Sequence, residues 1–513
     1  MTNNKGRSKS STVTWFDQAR QHADRIALID AHGTWTYAQL DDAATRVASA
    51  LLGPEADLQE RRIAFLVAPG FEYAAIQWGI WRAGGVAVPL GLMHPPPELA
   101  YALDDAQVSS VLADPASVDK IRSVGNERSL PILLTTDALN SPLLDTPPIE
   151  LSRRAMMLYT SGTTGKPKAV VTTHANIQAQ VESLVEAWAW SRQDHILHVL
   201  PLHHIHGIIN VLGCALWIGA TCEFLWPFDA KQVWQRFGHS DLTLFMAVPT
   251  IYAKLITAWE NSSPEERQAM SRGCRQMRLM VSGSAALPVS TLERWKSISG
   301  HVLLERYGMT EIGMALSNPL EDRRAPGHVG AALPGVQVRR LDEHGQAPEP
   351  QTPAEIEVRG PGVFLEYWNR PRETQEAFRN GWFRTGDVAV VENGAYRLLG
   401  RTRVDIIKTG GYKVSALEIE EVLREHADIS ECAVVGIADT QWGQCVSACL
   451  VLVPQATLTL DALRDWARQR LAPYKVPTRL LAVRQLPRNT MGKVHKPTVT
   501  RLFNTDPNQA TTT

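Results

Sequence analysis

Cysteine is scarce in this chain. Six occur in 513 residues, at Cys214, Cys222, Cys274, Cys432, Cys445 and Cys449, with no C-x-x-C among them. Such sparse, unpatterned cysteines exclude a disulfide-stapled secreted scaffold and a structural zinc module; they read as buried free thiols in a reducing compartment. Excess charge is lacking too. Lys plus Arg total 52 against 53 Asp plus Glu, a formal net charge of −1, so the chain does not grip nucleic acid or an anionic membrane through bulk charge. No apolar run approaches the ~20 residues of a membrane-spanning helix, and there is no internal repeat or long low-complexity tract. What is present is ordinary for a globular chain with a large core: 44% hydrophobic and 20% charged residues. At roughly 100–200 residues per domain, the length predicts about three folding units. Residues 1–15 carry Lys5, Arg7 and Lys9 with several Ser and Thr and no acid, the texture of either an organelle-targeting remnant or a polar terminus. The expected compartment is the cytoplasm, or the mitochondrial matrix if that stretch is a targeting remnant.

Short apolar strands alternate with helical patterns from residue 12 onward. The spacing predicts helices over 14–22, 37–52, 71–83 and 98–105, the second opening near Thr36 and the last behind Pro95-Pro96-Pro97. Strands are predicted over 26–30, 63–67, 86–90 and 108–112, and the same alternation continues through 155–320. This is the pattern of a mostly parallel sheet covered on both faces. Between 322 and 401, short strands punctuated by Pro334-Gly335, Asn380-Gly381 and Asn393-Gly394 predict a small β-rich unit. A compact α+β segment follows, with helices over 415–426 and 460–471, strands over 432–437 and 447–453, then a polar tail whose end, Thr505 to Thr513, should be unstructured.

The strongest local signal is Tyr159-Thr160-Ser161-Gly162-Thr163-Thr164-Gly165-Lys166-Pro167-Lys168, behind the apolar strand 155–158. Glycines and small hydroxyl residues let backbone N–H groups close around a phosphate, and the lysines add charge. It is not a Walker A loop: two residues rather than four separate Gly162 from Gly165, and Pro167 follows Lys166. The alternative is a flexible surface loop. His203, His204 and His206 suggest a metal at first sight, but alternate strand residues point to opposite faces and no nearby Cys or carboxylate completes a site.

In order along the chain stand that loop, Pro201-Leu202-His203-His204-Ile205-His206-Gly207, Gly283-Ser284-Ala285-Ala286-Leu287-Pro288, and Glu305-Arg306-Tyr307-Gly308-Met309-Thr310-Glu311. Then come Trp382-Phe383-Arg384-Thr385-Gly386-Asp387, Gly400-Arg401, Gly410-Gly411-Tyr412-Lys413-Val414, and Pro487-Arg488-Asn489-Thr490-Met491-Gly492-Lys493. With these motifs the chain, over roughly residues 12–500, resembles the adenylate-forming superfamily of acyl-CoA synthetases, luciferases and peptide-synthetase adenylation domains. The resemblance implies an α/β fold: a large N-terminal domain of layered α/β sheets (1–401) with a small β-rich subdomain (322–401), then a mobile α+β C-terminal domain (402–513).

It also implies the chemistry. ATP and a carboxylate give acyl-AMP and pyrophosphate, then the acyl group passes to the thiol of coenzyme A, a co-substrate. Residues 160–166 and Thr310 would contact phosphate, and Glu311 would serve Mg²⁺ as a hard-oxygen ligand. Tyr307, with Gly308 behind it, would stack on adenine beside Ser284, Ala285 and Ala286. Asp387 would take the ribose hydroxyls with help from Arg401; its alternative is a turn-capping role after Gly386. His204 would close the acyl pocket, with His206 farther along its wall. Lys493, by itself a solvated lysine in an exposed loop, becomes in this motif the ammonium that stabilises charge as carboxylate attacks phosphate. The C-terminal domain would swing about Asp405, or equally Val404, to exchange Lys493 for the Gly410-Gly411 strand, which lines the pantetheine path.

Within the superfamily the residues Val281–Pro288, Leu304–Pro319 and Asp405–Leu417 resemble those of malonyl-CoA synthetases. A dicarboxylate brings a second charge that an apolar pocket rejects. Arg306 would pair with it, unless it forms a surface ion pair with a neighbouring acid, and Lys254 would be the second cation, standing where similar enzymes carry arginine. Met314 and Ile205 would shorten the pocket, so that malonate is favoured, methylmalonate is weaker and medium-chain acids are poor. The partners expected are the dicarboxylic acid, ATP and coenzyme A, with no nucleic acid, no membrane and no obligate protein partner. The open alternatives are a synthetase for another short acid, an adenylation enzyme loading a separate carrier protein, a luciferase-like oxygenase and a non-catalytic nucleotide sensor.

Overall fold

The structure is a computed structural model that describes residues 12–160, 167–239, 241–402, 404–410, 412–440, 442–488 and 492–505. Its strands form four sheets. The largest has nine strands, of which Ile26–Asp30, Thr221–Phe224, His195–His198, Leu244–Ala247, Leu279–Ser282 and Leu304–Met309 run parallel. Antiparallel strands Gly33–Thr36 and Gly313–Ser317 flank this run, with Ala331–Ala332 beyond the latter. The second sheet has seven strands. In it Arg62–Leu66, Val86–Pro89, Ser110–Ala113, Ile132–Leu134 and Arg154–Thr160 are parallel. Lys168–Thr173 and Glu366–Tyr367 complete it as antiparallel members.

One core joins the two sheets. Leu28, Ile196, Leu244 and Val281 from the first pack in the same buried cluster as Ile63, Phe65, Met156 and Leu158 from the second, around Trp15, Tyr37, Trp78, Trp81 and Trp188. Each fully buried side chain of the Leu or Phe class contributes roughly 1.5–3 kcal/mol, so such a core dominates stability. Helix Tyr37–Leu52 lines it with Leu40, Ala44, Val47 and Ala48 at helical spacing. The helix begins where its sequence says: Thr36 accepts from Gln39 N, while the Gln39 side chain accepts from Thr36 N. All six cysteines are buried and free.

The β-rich stretch forms a five-stranded antiparallel sheet from Gln337–Leu341, Ala354–Arg359, Phe378–Arg379, Trp382–Glu392 and Ala395–Arg401. Asn380-Gly381 and Asn393-Gly394 are its tight hairpin turns, with positive φ at all four residues. The fourth sheet holds Ile406–Thr409, Tyr412–Ser415, Ile429–Asp439, Gly443–Leu452 and Arg479–Ala482.

Three expectations change. The alternation through 155–320 is not uniformly parallel, because Arg154–Thr160 and Lys168–Thr173 form an antiparallel hairpin. His203, His204 and His206, read as lying where a strand meets a loop, stand instead where a turn enters a π-helix over 206–213, which an apolar run of that length does not distinguish from a strand. The tail beyond 471 is not merely polar: it adds the strand Arg479–Ala482 and the helix Lys496–Thr505, whose Val499 and Phe503 pack on Val435 and Cys449. Thr505 therefore ends a helix; residues 506–513 lie outside the described residues, as do 1–11. No helix among the described residues is long and apolar enough to cross a membrane.

Candidate active site

Parallel strands of the first sheet release their loops at the same edge. His195–His198 leads into the turn that carries His203 and His204, Leu279–Ser282 leads into Gly283–Pro288, and Leu304–Met309 carries Arg306 and Tyr307 itself. Ligands of open α/β sheets bind in such crevices, where the loops from the carboxyl ends diverge.

Arg306 is the charge at the floor of this crevice. Its side chain is buried, 4% exposed. One Nη donates to Ser284 Oγ at 3.3 Å, and Nε has no hydrogen-bond partner. Burial alone draws its ionisation down to about 9. No carboxylate among the described residues pairs with it, so the surface ion-pair alternative falls. The adjacent Glu305 points to the opposite side of the strand, as pleating requires; it accepts from Gly327 N at 3.1 Å and is itself pushed up to about 8, first by burial. Gly283 provides the space: a Cβ there would lie 2.5 Å from Arg306 Cζ. Ser284 sits at φ 69 in the left-handed region, and its hydroxyl also meets His206 Nδ1 at 3.2 Å.

The histidines are neutral. Burial holds His204 and His206 well below the ordinary imidazole range and His203 at about 3. His204 Nε2 and His206 Nε2 are buried without partners, so both await a polar ligand group. His203 instead packs against the rings of His94 and His204. Among the described residues, ligand atoms with metal-like spacing occur at His195, Glu223 and Asp241, where Arg236 already pairs with both acids. Met314 and Ile205 are both buried in the core that joins the two sheets. Gly308 marks a register shift in its strand, and a Cβ there would meet Met314 Cε at 2.4 Å.

Lys254 does not join Arg306 in the interior. Helix Pro249–Glu260 buries Pro249, Tyr252, Leu255 and Ile256, which turns position 254 outward. Its side chain is exposed, with Nζ 5.8 Å from the Phe228 ring. Lys254, expected as the second cation, therefore does not share the buried surroundings of Arg306.

The contacts around Asp387 are equally specific. Tyr307 donates its hydroxyl to Asp387 Oδ2 at 2.5 Å, and Arg401 Nε stands 3.3 Å from Asp387 Oδ1 across the paired strands. Burial raises Asp387, opposed by Arg401 and the Tyr307 bond. Its carboxylate thus binds neighbours across the site, beyond a turn-capping role. Ala285 and Ala286 are exposed. Glu311 is buried and accepts from Tyr367 Oη at 3.0 Å; burial raises its pKa. Thr310 is half-buried in the turn between the strands. Thr160 ends its strand opposite Lys168, which opens the antiparallel partner strand. Ser161, Gly162, Thr163, Thr164, Gly165 and Lys166 lie outside the described residues. On the loop's far side Tyr101 donates to the Pro167 carbonyl at 2.7 Å, and Lys168 Nζ lies 5.1 Å from the Tyr367 ring.

Lys493 comes from the end of the chain into this field. It is pushed down to about 8, first by burial and then by Arg401 and Arg306, with Asp387 opposing. Gly410 is at the exposed tip of the hairpin Ile406–Ser415; Gly411 lies outside the described residues. Asp405 Oδ2 accepts from Arg401 N at 3.0 Å. Sequence reasoning overlooked Gly283 and Ser284 as the seat of Arg306, and Tyr367 as the partner of Glu311. Nothing local marks them, since each acts through a contact made across strands.

The chain belongs to the AMP-binding enzyme family: the family's profile matches residues 15–368, and that of the AMP-binding enzyme C-terminal domain matches 418–493. Within that family it is similar to proteins named for malonate. It is 47% identical over 522 residues to malonate–CoA ligase ACSF3, mitochondrial, of Mus musculus, covering 94% of this chain and 90% of that protein. It is 39% identical over 536 residues to the malonate–CoA ligase of Arabidopsis thaliana, covering 94% and 86%. The crystal structure of ATP-bound MatB from Rhodopseudomonas palustris superposes with TM-score 0.88 at 33% identity, covering 96% of this chain and 99% of that one.

Proposed function

We infer that this chain is an ATP-dependent malonate–CoA ligase that forms malonyl-AMP and pyrophosphate, then malonyl-CoA and AMP. The observation that carries the choice of acid is Arg306, a buried guanidinium without a protein counter-ion. Such a charge is costly to bury alone, and a dicarboxylate's second carboxylate relieves that cost with a charge-assisted, bidentate bond. Ser284 fixes the guanidinium laterally, and the neutral His206 contacts the same hydroxyl.

In the first half-reaction one carboxylate oxygen of malonate attacks the α-phosphorus, forming a P–O bond as the bond to pyrophosphate breaks. Lys493 supplies the ammonium beside the reacting oxygens. Asp387 and Tyr307 hold ribose and adenine, and Arg401 keeps Asp387 in place. Glu311, a single buried carboxylate already steadied by Tyr367, would hold a Mg²⁺ ion as a hard-oxygen ligand, and the ion would neutralise charge on the leaving pyrophosphate. In the second half-reaction the CoA thiol loses its proton and attacks the acyl carbon, forming C–S as the C–O bond to AMP breaks. By this reading, rotation about Asp405 withdraws Lys493 and brings in the Gly410-Gly411 hairpin. Methylmalonate is a weaker substrate, since Met314 and Ile205 bound the pocket.

The test is pyrophosphate release with ATP, Mg²⁺ and a panel of acids, followed by product analysis with CoA. Malonate is expected to lead the panel, and Lys493→Ala to abolish release. Equal turnover of malonate and medium-chain acids would refute the assignment.

A further inference from the structure

The contacts around Asp405 reach the Lys493 loop by a route that the motifs do not announce. Lys496 begins the helix Lys496–Thr505 and is 8% exposed. Its Nζ lies 2.6 Å from Asp405 Oδ1 and 2.7 Å from Glu420 Oε1. The other Asp405 oxygen accepts from Arg401 N, and Arg401 pairs with Asp387. One carboxylate therefore spans the junction, with an oxygen toward the nucleotide-side strand and an oxygen toward the segment that delivers Lys493. Gly400, at φ 111, makes this packing possible, because a Cβ there would stand 2.3 Å from Asp405 Cβ.

Both ends of the link are fixed. Glu420 Oε1 also accepts from Val434 N at 2.8 Å, inside the strand Ile429–Asp439. Arg424 pairs with Glu420 and Glu421. Glu421 Oε1 accepts at 2.8 Å from Val289 N, the first residue of the helix after Gly283–Pro288. Between Lys493 and Lys496 the backbone is tied down as well: Val494 bridges to Arg488, and His495 N donates to Pro487 O at 2.8 Å. Lys496 is the anchored end of the segment that carries Lys493.

We propose that Lys496 is a positioning residue for adenylation: by joining Asp405 to Glu420 it holds the Lys493 loop against the nucleotide side of the site. This rests on the ligase reading above, and on Lys493 serving the first half-reaction alone. Thioester formation, with Lys493 withdrawn, does not need the link. A neutral side chain of similar length leaves the two carboxylates facing each other and releases the loop, while arginine keeps charge and reach.

The experiment measures the half-reactions separately in the full chain: pyrophosphate release from ATP and malonate, and CoA acylation from synthetic malonyl adenylate. Lys496→Met is expected to slow pyrophosphate release by about 10²-fold, the scale of an ångström misplacement of a reacting group, with CoA acylation near the wild-type rate. Lys496→Arg is expected to restore release. Equal loss in both half-reactions would mark Lys496 as a general structural residue and overturn the proposal, as would undiminished pyrophosphate release in Lys496→Met. A wild-type chain without carboxylate-dependent release would overturn the ligase reading and this inference together; a normal wild type beside an unaffected variant overturns this inference alone.

Discussion

Arg306 concentrates the specificity question in one side chain. Its motif neighbours name an adenylate site, but only its burial without an acid says that it expects an anion. Truncating one partner of a buried charge pair costs about 2–5 kcal/mol, roughly 30- to 5,000-fold. Arg306→Ala is therefore expected to lower kcat/KM for malonate within that range while changing propionate turnover much less. Parallel losses on the two acids would remove Arg306 from the second carboxylate. Lys254 teaches the converse. It has the right charge and the right neighbourhood in sequence, yet the helical periodicity of Pro249–Glu260 puts it in water.

At the scale of elements, capping and hairpin chemistry were legible because they are local. Thr36 and Gln39 specify a helix start by reciprocal bonds, and Asn-Gly pairs specify tight turns by tolerating positive φ. The capping box lies far from Arg306 in the chain and faces solvent in part, so its loss belongs to stability alone. Thr36→Ala is expected to cost about 1 kcal/mol, lowering the calorimetric Tm by roughly 1 °C in a unit of this size, with pyrophosphate release unchanged; an activity loss at equal Tm would contradict this. The hairpin geometry of Arg154–Thr173 and the π-helix at 206–213 were not legible. Strand direction is decided by the partner, and one apolar run suits several windings.

On the scale of the whole molecule, the proposed chemistry depends on where the C-terminal lysine stands. Burial and the charges of Arg401 and Arg306 push Lys493 down to about 8, so its ammonium is lost as pH rises through that value. Since kcat/KM reports the free enzyme, pyrophosphate release should fall on the alkaline side with an apparent pKa about 8, and CoA acylation from malonyl adenylate should lack that limb. Removing the Arg306 cation should move the limb upward, because less positive charge then opposes protonation. A limb that stays in place in Arg306→Ala would separate the two groups. By itself the sequence determined the family, the order of its motifs, the residue types of the candidate site and the sparse free thiols, because those are properties of composition and local spacing. Tertiary structure alone decided which of two candidate cations is buried, which carboxylate holds which partner and how Lys496 meets Asp405. Each of these is a contact between residues distant in the chain, and burial changes what a charge costs.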